Sequence, residues 1–135
     1  MRDLLQQASR KFPKACAIIS LRNAISYREL NQWADSLAIE LKKRDQRTTA
    51  LKVHLSESDI ILFWALRRAG KTVFFFNTRL PETEIKKQFN FIQAARLKGF
   101  ATVLFTSGSS ASPKAVVHTD DNHYFNALGS KENIS

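Results

Sequence analysis

Between Val103 and Thr119 the chain reads VLFTSGSSASPKAVVHT: a β-prone apolar run, a burst of hydroxyls, one lysine and a second apolar run. Thr106, Ser107, Ser109 and Ser110 set four hydroxyls around Gly108. Hydroxyls donate to phosphate oxygens without adding negative charge. Gly108 permits a backbone geometry closed to other residues, so successive amides can converge on an anion, and Lys114 adds a mobile positive charge. Pro113 stiffens the exit of the loop. Two familiar chemistries are excluded by spacing. Counting from Gly108, Pro113 stands where a nucleotide-binding P-loop needs its second Gly, and Ala115 stands where it needs Ser or Thr. Ser110 is followed by Ala111 and Ser112, not by the x-Gly of a serine-hydrolase elbow. Phosphate binding and a plain Ser-rich surface turn both account for the composition.

Such a loop needs strands to hold it, and the rest of the chain supplies candidates. Leu4, Leu5 and Ala8 recur at helical spacing within Asp3 to Lys11, and Pro13 follows as a stop. Ala15 to Ser20 reads as a buried strand, with the LRN that follows as a turn. SYRELNQWADSLAIELKKR is a helix with an apolar stripe of Leu30, Ala34, Leu37 and Leu41, opened by a capping box between Ser26 and Glu29. Thr49 to Leu55 alternates as a strand should. Ser56 caps the helix after it, Asp59 places negative charge in its first turn, and Gly70 supplies a left-handed stop. Thr72 to Asn77 is a strand covered on both faces. Pro81 opens a helix through about Phe91, and IQAARLKGF has no defensible period and reads as a junction or loop. ATVLFT is a buried strand, AVVHT a shorter one after the Ser-rich loop, and DDNHYFNALGSKE a helix started by Thr119 or Asp120. Strand, helix and strand in alternation predict an α/β fold, a layered subdomain with a mainly parallel sheet and flanking helices.

Composition narrows the setting. At 135 residues with 44% hydrophobic content, including ten Phe, the chain is one globular domain's worth of sequence. A lone Cys16 rules out an internal disulfide and sets a reducing cytoplasm as the expected location. The apolar runs IILFWAL and TVFFF are far short of a bilayer span, so no membrane is expected. The net charge of +9 would attract nucleic acid or phosphorylated ligands. However, Lys42, Lys43 and Arg44, and then Arg67, Arg68 and Lys71, fall at predicted helix ends, where solvated cations meet the dipole. No nucleic-acid motif accompanies them, which argues against a nucleic-acid partner. His54 and His123 lack companions at metal-ligand spacing, so no metal held by protein side chains is expected.

FTSGSSASPKAVVH resembles the Ser/Thr-rich phosphate loop of the AMP-forming adenylating superfamily of acyl-CoA synthetases, luciferases and peptide-synthetase adenylation domains. Two further segments match in order. ISYRELNQWADSLAIEL is similar to the family's amino-terminal helix motif, and LRRAGKTVFFFNTRLP to the next motif, an Ala-Gly pair before a strand and an Asn or Asp turn. AVVHTDDNHYFNALGSKEN is most similar to the o-succinylbenzoate–CoA ligase branch, which serves menaquinone biosynthesis. The resemblance implies a two-step reaction using ATP, Mg2+, a carboxylate and coenzyme A: adenylation with loss of pyrophosphate, then displacement of AMP by the thiol. Carried over position by position, Thr106, Ser107, Gly108, Ser109, Ser110 and Lys114 match the ATP-phosphate-binding loop, and no catalytic residue is carried over. His118 matches a frequent family His, and a purely structural role at a strand end fits it equally.

The sequence also departs from that pattern. Ala111 and Ala115 replace common glycines, and Ala111 would be strained if its position needs positive φ. The family motifs for adenine, ribose, Mg2+ and the carboxy-terminal lysine do not occur. Between the Pro81 helix and the Ala101 strand the family spends considerably more chain, including a strand. These departures predict residues 1–135 to be a truncated adenylation amino-terminal domain with an internal deletion near 90–100, inactive alone. A phosphate-binding or partner-binding module is the alternative, and a basic nucleic-acid binder is the third. An incomplete sheet further predicts self-association or a complementing partner chain.

Overall fold

The computed structural model describes residues 3–106 and 113–123. Helix α1 (Leu4–Lys11) begins at Asp3, whose carboxylate accepts from the Gln6 amide at 2.9 Å. Strands β1 (Cys16–Ile19) and β2 (Ala24–Ser26) then form a separate antiparallel pair. The first of these was expected to be a buried strand. Instead it is half-exposed, with Ile19 at 81% exposure, because its one partner is the three-residue β2, within a stretch that reads only as a turn leading to a helix.

Helix α2 (Tyr27–Lys42) opens with the anticipated capping box: Ser26 Oγ accepts from the Glu29 amide at 3.1 Å, and Glu29 accepts from the Ser26 amide at 3.2 Å. Leu30, Ala34 and Ala38 are its buried face. Strand β3 (Thr48–Lys52), helix α3 (Glu57–Arg68) and strand β4 (Thr72–Phe76) make the first strand–helix–strand unit. Ser56 and Asp59 form a second capping box, and Gly70 takes φ +70 after the helix, where a side chain would be strained. Helix α4 (Glu82–Ala95) and strand β5 (Ala101–Phe105) complete a second unit. Pro81 stands at the N-cap and not inside the first turn, and the helix runs beyond Phe91 to Ala95 before Arg96 turns left-handed at φ 48. Thus the first residues of IQAARLKGF are helical: Gln93, Ala94 and Ala95 extend the helix by propensity without an apolar period. Strand β6 (Ala115–Thr119) returns beside β5.

The main sheet has the order β3-β4-β5-β6, parallel between the first three strands and antiparallel between β5 and β6. Side chains alternate across it. Val73 and Phe75 of β4 pack with Leu51, Leu62, Phe63 and Leu66, the α3 side. Phe74 and Phe76 pack with Ile85, Phe89, Ile92 and Val103, the α4 side. The two helices therefore cover opposite faces of one sheet, as expected of a layered α/β subdomain.

Of three cations expected at solvated helix ends, Arg67 and Lys71 are instead buried and Arg68 is largely withdrawn from water. Arg67 is 4% exposed and pairs with Asp120; Arg68 bonds Asp3 at 2.7 Å and the Asn31 carbonyl at 3.0 Å; Lys71 donates to the Arg44 carbonyl at 2.7 Å. Each found a partner remote in sequence, so its charge crosses between elements and does not face water. Arg68 ties α1, α2 and α3 together.

Candidate functional site

Parallel strands leave their carboxyl ends at one edge of a sheet, where loops can converge on a ligand. Here β3, β4 and β5 end together at Lys52, Phe76 and Phe105, and a crevice of about 390 Å3 opens beyond them. Val53 and His54 line it after β3, Asn77 to Leu80 after β4, and Thr106 after β5, with Pro113 and Gln88 closing the sides. The turn after β4 is built by Asn77, whose Oδ1 accepts from the Arg79 amide at 3.0 Å, while the Leu80 amide donates to the Asn77 carbonyl at 3.2 Å. This asparagine turn carries Arg79 to the rim.

Thr106 and Lys114 stand at the two ends of the Ser-rich segment, and their backbones meet. The Thr106 amide donates to the Lys114 carbonyl at 2.9 Å, continuing the β5–β6 pairing by one step. The Thr106 hydroxyl turns to the same carbonyl at 3.4 Å. Strands β5 and β6 are thus clipped together at Thr106 and Lys114, beside the crevice. Ser107, Gly108, Ser109, Ser110 and Ala111 lie outside the described residues. Lys114 and Thr106 are both exposed, but they line different hollows. Thr106 faces the crevice, whereas Lys114 borders a shallower groove with Lys87, Phe91, Phe105 and Ala115.

Sequence reasoning singled out the loop and missed His54, Arg79 and Gln88 as neighbours. The available signal was positional: each of the first two lies just past the carboxyl end of a parallel strand. Behind the sheet, His118 and His123 sit with ring centres 5.8 Å apart, and His123 Nε2 is 2.8 Å from Thr102 Oγ1. Burial, reinforced by the Arg67 and His118 charges and only partly offset by Asp120, pushes His123 below its ordinary value. Both histidines stand on the α3 face of the sheet, where they pack against each other, and neither is among the described residues lining the crevice.

This arrangement is the fold of the amino-terminal subdomain of the AMP-forming adenylating enzymes, as the resemblance implied. Its particular likeness is to the amino-terminal part of the 2-succinylbenzoate–CoA ligases. The chain is 24% identical to that enzyme of Staphylococcus epidermidis over 164 aligned positions, which take in 96% of this chain and 35% of the relative. The o-succinylbenzoate CoA synthetase of Bacillus subtilis, solved with the acyl-adenylate intermediate, superposes with a TM-score of 0.77 at 19% identity, over 97% of this chain and 46% of that one. The same enzyme solved with ATP and magnesium gives 0.71 at 20% identity, over 96% and 46%. No family model matches the chain. The chain therefore spans about a third of the curated relative's length. An alignment of 164 positions is also longer than the 135-residue chain, so that relative has at least 29 residues within the matched stretch that this chain lacks.

Proposed function

We propose that the crevice holds the phosphates of ATP in the manner of the amino-terminal part of an o-succinylbenzoate–CoA ligase, and that the 135 residues alone adenylate no carboxylate. The observation that carries this reading is the clipped hairpin of Thr106 and Lys114 beside the carboxyl ends of three parallel strands. A clipped base sets the Thr106 hydroxyl at the crevice, Arg79 supplies positive charge at its rim, and Lys114 stands beside it in the neighbouring groove; Ser107, Gly108, Ser109 and Ser110 belong to the same proposed phosphate loop by their place in the sequence. Fixed donors stabilise charge on a leaving pyrophosphate without reorganising, which is where such a loop would act. In the complete reaction ATP supplies the adenylyl group to the carboxylate, and the thiol of coenzyme A then displaces AMP.

The donor set fits a phosphate better than a metal. Among the described residues lining the crevice there is no carboxylate, and the hard side-chain oxygens are the hydroxyls of Thr78 and Thr106 and the amides of Asn77 and Gln88. Magnesium would be held chiefly through phosphate oxygens.

We also infer an internal deletion near residues 90–100, which the topology favours. Because α3 and α4 cover opposite faces while β3, β4 and β5 step in one direction, their two crossovers must have opposite hands. Right-handed crossovers make up about 98% of such units. We place the odd one at α4, where five residues, Arg96 to Phe100, connect to β5. The residues that the relative has in excess fit this point, since a longer connection could visit another strand before β5.

Two measurements test the reading. Pyrophosphate release from ATP and o-succinylbenzoate should be absent with the pure chain, and turnover would overturn the claim of inactivity. Calorimetric titration with ATP should give weaker binding for Lys114→Ala than for the wild type. Equal, negligible heats would reject the phosphate site.

A further inference from the structure

The edge strand β3 has a pattern that fits a second copy of itself. The Arg47 carbonyl accepts from the Thr72 amide and the Val53 amide donates to the Phe76 carbonyl, so the odd-numbered residues of this strand face β4. Backbone groups alternate in direction along a strand, and those of Thr48, Ala50 and Lys52 consequently point outward. Among the described residues no strand pairs with this edge. Ala50 and Lys52 are exposed, and Gln46 Nε2 donates to the Thr48 carbonyl at 2.9 Å.

We propose that β3 pairs with β3 of a second copy, antiparallel about a two-fold axis at Ala50, joining the two four-stranded sheets into one. In that register Ala50 exchanges both its backbone bonds with the partner's Ala50, and Thr48 does the same with the partner's Lys52, whose amide takes the Thr48 carbonyl in place of Gln46 Nε2. Side chains match as well. Lys52 stands opposite Thr48, Arg47 opposite Val53 and Gln46 opposite His54, so no cation meets its own copy despite a net charge of +9 per chain. The exposed aliphatic surface of Val53 is covered by the stem of the partner's Arg47. A two-fold interface requires this kind of self-complementarity, and a shift by one residue would lose it.

Sedimentation velocity of the full chain across low to high micromolar concentration tests the pairing. The wild type should show a concentration-dependent dimer. Ala50→Lys and Ala50→Asp, each at an exposed position, set like charges directly opposite and should weaken the dimer about fivefold or more. Mixing the two variants should restore association, because Lys then faces Asp. Circular dichroism of each variant separates lost pairing from lost folding. A wild type that stays monomeric, or dimers untouched by either variant, or a mixture that does not recover, would each overturn the proposal.

Discussion

Removing the Asp3 carboxylate should destabilise the chain through two interactions at once. Asp3 caps α1 by accepting from the Gln6 amide, and it receives Arg68 Nε at 2.7 Å from the end of α3. Loss of an N-cap costs about 1 kcal/mol. Loss of a charged partner from Arg68, whose side chain is 9% exposed, adds about 1–3 kcal/mol, with Asn31 still accepting from the same guanidinium. Asp3→Ala should therefore cost about 2–4 kcal/mol, and Asp3→Asn, which keeps a capping oxygen, less by about 1 kcal/mol. The pH dependence has a definite sign. Burial alone would raise the carboxyl, but the hydrogen bonds from Arg68 and the Gln6 amide, with the charges of Arg68 and Arg67, outweigh it and hold Asp3 below its ordinary value. Its contribution is then present above the unfolded value and lost as pH falls through the folded one. Urea unfolding of the wild type and both variants, at neutral pH and near pH 3, measures all of this. Equal midpoints for the wild type and Asp3→Ala at neutral pH would refute the claim that Arg68 depends on Asp3.

Other consequences follow from single contacts. Ser56→Ala should lower stability by about 1 kcal/mol, read as a lower melting temperature, because the Asp59 amide loses its acceptor. Phe74→Ala empties the α4 side of the sheet and should cost about 3–5 kcal/mol in urea unfolding. His123 is depressed, so its stabilising effect is present above its unfolded value near pH 6.5 and lost as pH falls through the folded value; His123→Gln should flatten that part of the stability profile.

What could be read in the sequence is what neighbouring residues decide. Both capping boxes join residues three apart, and α2 and α3 begin where Ser26 and Ser56 announce them. The apolar runs of β4 and β5 betray burial on two faces, which is enough for an α/β sheet. Strand β2 was illegible because Ala24, Ile25 and Ser26 are extended by pairing with β1 and not by their own preference. The withdrawal of Arg67, Arg68 and Lys71 from water depends on Asp120, Asp3 and the Arg44 carbonyl, partners that only the tertiary fold brings near. At the candidate site, composition and order pointed to Thr106 and Lys114, while Arg79 reached the crevice through a turn whose position depends on the whole sheet.

The most direct test of the phosphate reading is a residue-resolved amide spectrum of the 135-residue chain titrated with inorganic pyrophosphate. Shifts concentrated at Asn77 to Leu80 and Thr106 to Ala115, and much reduced in Lys114→Ala, are the predicted result. Shifts absent there, or spread over exposed lysines such as Lys42 and Lys43, would contradict it.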